Sequence, residues 1–154
     1  MKRLAHSRNR SKLAPCREEV AFLELCQTTD LLSRHISLLL KTEELSSTQY
    51  NVLRILRGAA DGLPCGEIGS RMITRDPDIT RLLDRLGKRG LISRFRETRD
   101  RRQVTVKITP DGIQLLARMD EPVREAHRSQ LGHLGRARLK ALIELLQRAR
   151  VEVG

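Results

Sequence analysis

The sequence predicts a mainly α-helical chain that carries one small antiparallel β-hairpin. Three observations predict it. Apolar residues recur at helical spacing through most of the chain, as Ile79, Leu82, Leu83 and Leu86 do. Two adjoining runs, Leu-Ile-Ser-Arg-Phe at 91–95 and Val-Thr-Val-Lys-Ile at 104–108, have the composition and length of short strands. Ser, Thr, Asp, Pro and Gly stand where the helices should start and stop.

The elements follow in order. Residues 1–14 carry Lys2, Arg3, Arg8, Arg10 and Lys12 with little apolar content, and read as a disordered basic arm. Residues 15–154 read as one domain, which suits the length. Pro15 opens a long helix over 17–41, with Val20, Leu23, Leu31, Leu32, Ile36, Leu39 and Leu40 on a wide apolar face. A second helix begins near Ser47, capped by Ser46 or Ser47, with Gln49 or Tyr50 at the third helical position. Gly58 and the Asp61-Gly62 pair close it. Leu63-Pro64 reads as a strand stub. A third helix over 66–72 contains Gly66 and Gly69, which cost it roughly 1 kcal/mol each relative to alanine. A fourth helix starts with Asp76 as N-cap and Pro77 at the first helical position. It buries Ile79, Leu82, Leu83 and Leu86. It presents Arg81, Asp84 and Lys88 on the other face, with Thr80 and Arg85 on the flanks, and Gly90 ends it. The two strands come next, joined by a charged loop longer than a two-residue turn. Thr109 and Pro110 start a helix that holds Ile113, Leu115, Leu116 and Met119, and that Pro122 should kink or interrupt. Gly132 and Gly135 break the chain. A last helix over 136–151 shows Leu139, Leu142, Ile143 and Leu146 at helical spacing.

This order is a winged helix-turn-helix core, 46–109, between two helical flanks, 17–41 and 110–151. The apolar faces of the first and last helices exceed what the small core can cover. They should pack together and against a second copy, making a homodimer.

Composition narrows the partner. The net charge of +11 favours a polyanion, nucleic acid above an anionic membrane face. The aromatic side chains are Phe22, Tyr50 and Phe95, too few for the stacking platforms that read single-stranded RNA. No apolar run approaches a membrane span, and the N-terminus lacks the apolar segment of a secretory signal. Cys16, Cys26 and Cys65 are widely spaced and odd in number, which suits reduced thiols in a cytoplasm. Cys26 is expected to be a buried structural residue.

A basic-faced helix beside a basic-tipped hairpin suits double-stranded DNA: the helix enters a major groove and arginines on the projecting loop reach the minor groove. Arg81, Thr80, Arg85 and Asp78 are expected at the major groove, with Asp78 able to accept from a cytosine amino group. Arg101 and Arg102 are expected at the minor groove, beside Asp100. Lys88, Arg94 and Arg96 are expected on phosphates. The alternative is a winged-helix module that binds structured RNA or a protein partner through the same face. The chain has no phosphate-cradling glycine loop and no nucleophile motif, so no catalytic residue and no enzyme activity is expected. His6, His35, His127 and His133 lack metal-ligand spacing, and neither a metal site nor a cofactor is expected.

Three segments resemble the MarR-type (multiple antibiotic resistance regulator) transcriptional regulators. Leu45 to Leu53 resembles the family's entry to its second helix. Thr80 to Leu86, followed by Lys88-Arg89-Gly90-Leu91-Ile92, resembles its recognition helix and exit. Asp100-Arg101-Arg102, with Val104, Val106, Ile108, Thr109 and Gly112, resembles its wing. The resemblance implies a homodimer on pseudo-palindromic DNA, released or remodelled by a small ligand or an oxidant. It places Thr80 and Arg81 on DNA and Arg102 in the minor groove. An effector pocket should then lie between the long-helix region and the winged block. Asp76, Pro77 and Asp78 depart from the family, which often has a small hydroxyl residue there. The tyrosines that surround the thiol of oxidant-sensing members are also missing around Cys26.

Overall fold

The computed structural model describes residues 14–74, 78–96 and 104–151. The order is α1 (Arg17–Lys41), α2 (Ser47–Arg57), β1 (Leu63–Pro64), α3 (Cys65–Arg71), α4 (Ile79–Lys88), β2 (Ile92–Arg96), β3 (Val104–Ile108), α5 (Pro110–Leu131), a 3-10 turn at Gly132–Leu134, and α6 (Gly135–Val151). The expected arm at 1–14 and the wing tip at 100–102 lie outside the described residues, apart from Ala14.

Local chemistry sets most boundaries. Ser46 caps α2 in a reciprocal box: its Oγ accepts from Gln49 N, and Gln49 Oε1 accepts from Ser46 N. Cys16 caps α1, its Sγ accepting from Glu19 N at 3.4 Å. Thr109 caps α5 by accepting from Gly112 N, and its hydroxyl donates to Gly90 O at 2.6 Å. Gly112 is there because a Cβ would meet Leu91 O at 2.4 Å. That contact seats the start of α5 against the exit from α4.

The sheet has three strands in the order β1-β3-β2, all antiparallel. Ile92 opposes Ile108, Arg94 opposes Val106, and Leu63 opposes Val106 from the other side. The stub at Leu63-Pro64 therefore joins the expected hairpin as a third strand. Between sheet and helices lies the core, with Leu53, Leu56, Ile68, Leu83, Leu86, Leu116 and Val106 fully buried. Each such leucine contributes about 1.5–3 kcal/mol by leaving water.

Four expectations are corrected. α4 begins at Ile79 with Asp78 as its cap, two residues after the Asp76-Pro77 start read from the sequence. α3 spans Cys65–Arg71 rather than 66–72. α5 runs through Pro122 without interruption. The turns on either side bury Leu115, Leu116, Met119, Val123 and Ala126, and that packing offsets the hydrogen bond that proline cannot make. Cys26 is exposed in this chain, not buried, because α1 buries Leu40 alone. No helix among the described residues is long and apolar enough to cross a membrane.

Candidate nucleic-acid interface

α4 divides cleanly into two faces. Leu82, Leu83 and Leu86 are buried against the core, while Thr80, Arg81, Asp84, Arg85 and Lys88 are exposed. The helix starts where Asp78 Oδ1 accepts from Arg81 N at 3.1 Å. It ends at Arg89, followed by Gly90 at φ +70°, a left-handed conformation that glycine adopts without a Cβ penalty. Arg85 and Lys88 sit in its last turn, where the helix dipole favours cations. Among the described residues neither has an acidic partner, so both charges are available to a ligand.

The other expected site residues behave differently. Arg81 is ion-paired within α4's own first turn, its Nε 3.1 Å from Asp78 Oδ2. Arg94 reaches back from β2 to Asp84 at 2.7 Å and to Thr80 O at 3.4 Å. It thus braces the wing's first strand against α4, a role that the phosphate assignment did not foresee. Arg96 ends β2. Asp100, Arg101 and Arg102 lie outside the described residues. On β2, Phe95 is partly exposed with Lys107 Nζ 5.5 Å from its ring centroid, a cation–π contact that keeps a lysine on the wing's surface.

The sequence reading missed two features. A cleft of about 340 Å³ separates the first turns of α2 and α4, lined by Ser46, Thr48 and Gln49 on one side and Asp78, Arg81 and Arg85 on the other. Ser46 and Gln49 were legible as a cap, but only the packing of α2 on α4 makes them part of the same face. Arg89 donates to Glu43 O at 2.9 Å and Glu44 O at 2.8 Å. It ties the end of α4 to the α1–α2 joint. Arg118 grips the Glu43 carboxylate at 3.0 and 3.3 Å and holds its pKa below the usual carboxylate range.

A second cavity, about 400 Å³, opens between α1, α2 and α5. Leu32, Ile36, Leu40 and Leu131 give it apolar walls, and Arg54 and His127 bring cationic or ionisable groups to it. Tyr50 also lines it, and burial raises the Tyr50 pKa above the usual phenol value. The cavity lies where the sequence reading expected an effector pocket. Among the described residues no group of three or more His, Cys, Asp or Glu is placed to hold a metal ion.

Comparison with known proteins gives concordant results. Residues 45–104 match the model of the MarR family. A MarR transcription factor from Planctomyces limnophilus, known from its crystal structure, is 40% identical, with a TM-score of 0.67 over 88% of this chain and 98% of that one. The HTH-type transcriptional regulator FarR of Neisseria gonorrhoeae is 28% identical over 79% of this chain and 83% of its own length. The PcaV transcriptional regulator of Streptomyces coelicolor, solved in complex with its natural ligand, is 25% identical, with a TM-score of 0.74 over 92% of this chain and all of that one (100%).

Proposed function

We propose, from the premise that this chain belongs to the MarR family and is a DNA-binding transcriptional regulator, that it works as a homodimer whose two α4 helices enter successive major grooves. The carrying observation is the exposed face of α4, where Arg85 and Lys88 have no acidic partner among the described residues. Thr80, Arg81 and Arg85 face the bases. Lys88 serves the phosphates, and so do Arg94 and Arg96 where the backbone comes within their reach. Arg94 must then exchange its Asp84 partner for phosphate, which makes it a conditional contact. At the wing, Arg101 and Arg102 serve the minor groove and Asp100 orients Arg102. The exposed apolar faces of α1 and α6 support the dimer. The protein acts by binding rather than catalysis, in the cytoplasm, where its DNA is.

The cavity between α1, α2 and α5 supports control by a small effector. Its apolar walls with Arg54 and His127 suit a compact apolar body bearing one acidic group. The PcaV neighbour, solved with its natural ligand, supports the same reading. Occupying a space bounded by α1 and α2 would shift the winged block against the dimer helices, and repression would be relieved.

A salt titration tests the nucleic-acid assignment. Affinity for a DNA duplex should fall linearly with salt on logarithmic axes, and Lys88→Ala should reduce the slope by about one. RNA duplex of equal length should bind more weakly at every salt concentration. Equal or tighter binding to RNA would overturn the DNA assignment.

A further inference from the structure

We infer that Asp78 and Arg81 act as one reading unit, in which Asp78 fixes the Arg81 guanidinium so that its terminal nitrogens select guanine. The inference rests on the proposed placement of α4 in the major groove.

Both oxygens of the Asp78 carboxylate contact Arg81. Oδ1 accepts from Arg81 N at 3.1 Å, and Oδ2 lies 3.1 Å from Arg81 Nε. The cap uses only the first oxygen. Stability does not account for the second, because the two side chains are 50% and 72% exposed and an exposed pair at this spacing adds little. What the second contact does is restrict a long, flexible side chain at the entrance to the reading face. With Nε engaged, the edge left for a ligand is the one formed by the two terminal nitrogens. That edge is a fork of donors. Guanine offers two acceptors, O6 and N7, to the major groove, whereas adenine offers one acceptor and one donor, so the fork matches guanine and mismatches adenine.

Arg85 supplies the internal contrast. It stands one turn later on α4 and lines the same cleft, yet has no acidic partner among the described residues. An unrestrained guanidinium there can follow a phosphate or several bases. Two arginines of one helix face are therefore assigned different work, and the difference is the Asp78 carboxylate. The carboxylate also repels DNA phosphate. Removing its charge should raise affinity for arbitrary sequence while it lowers discrimination, and a purely structural cap would not produce those opposite signs.

Selection of bound sequences from a randomised DNA duplex library tests this, using the full chain and its Asp78→Asn, Asp78→Ser, Arg81→Ala and Arg85→Ala variants. Asn and Ser cap helices about as well as Asp, so α4 keeps its start. The parent should select guanine at one position of each half-site, and Arg81→Ala should abolish that preference. Asp78→Asn and Asp78→Ser should lower it by roughly fivefold to hundredfold, the range of one bidentate contact, and should bind arbitrary duplex more tightly than the parent. Arg85→Ala should leave the guanine preference at that position unchanged. Retention of the guanine preference to within about twofold in Asp78→Asn, or its survival in Arg81→Ala, would overturn the inference and leave the proposed function standing. A parent that selects no sequence at all would overturn both.

Discussion

Among its ten residues α4 buries Leu82, Leu83 and Leu86, whereas the 25 residues of α1 bury Leu40 alone and the 17 of α6 bury none. All three helices carry apolar residues at helical spacing. In the winged block that face meets the sheet and two other helices, α2 and α3, from the same chain. Along α1 and α6 much of it meets solvent: Phe22, Leu31, Leu38, Ile143 and Leu145 are all more than half exposed. Periodicity therefore says that a face is apolar. It does not say whether this chain or another copy covers it. The contrast assigns the winged block and α5 to folding, and α1 and α6 to association.

The contrast can be broken most strongly at Leu86. It is fully buried beneath the reading face, so Leu86→Ala should cost about 2–5 kcal/mol in urea unfolding and reduce DNA binding only through unfolding. A variant as stable as the parent would mean that α4 presents the opposite face. A much smaller effect belongs to Asp120 in α5, which accepts from Arg57 of α2 at 2.8 and 3.0 Å. Both side chains are partly exposed, so water screens the pair and Asp120→Asn should cost about 1 kcal/mol or less at neutral pH. The Arg57 hydrogen bonds lower the Asp120 pKa. The contribution is therefore present above the ordinary carboxylate value and fades as pH falls through the lowered one. Thermal melts of parent and variant should converge in that acidic window. A gap that stays constant through it would show that the ion pair is not the cause.

Much of this architecture was legible because its signals are local. The Ser46–Gln49 box, the Thr109-Pro110 start and the span of α1 each depend on neighbours in sequence. What escaped depends on packing or on competition between equivalent signals. Asp76-Pro77 and Asp78 both satisfy the rule for a helix start, and the carboxylate that accepts from Arg81 N decides between them. Pro122 looks like a helix breaker until Met119 and Val123 are seen buried around it. Arg94 looks like a phosphate ligand until β2 brings it to Asp84, and Arg89 looks like surface charge until it meets the carbonyls of Glu43 and Glu44. The basic face of α4 could be read from spacing alone. Its division into held Arg81 and unheld Arg85 required the structure.

Sedimentation equilibrium on the full chain and on a chain ending at residue 134 tests the separation of folding from association most directly. α6 buries no residue in the winged block, so its removal should leave the core closed. The account predicts a dimer for the full chain and a folded monomer for the shortened one. A shortened chain that remains a stable, soluble dimer would contradict it.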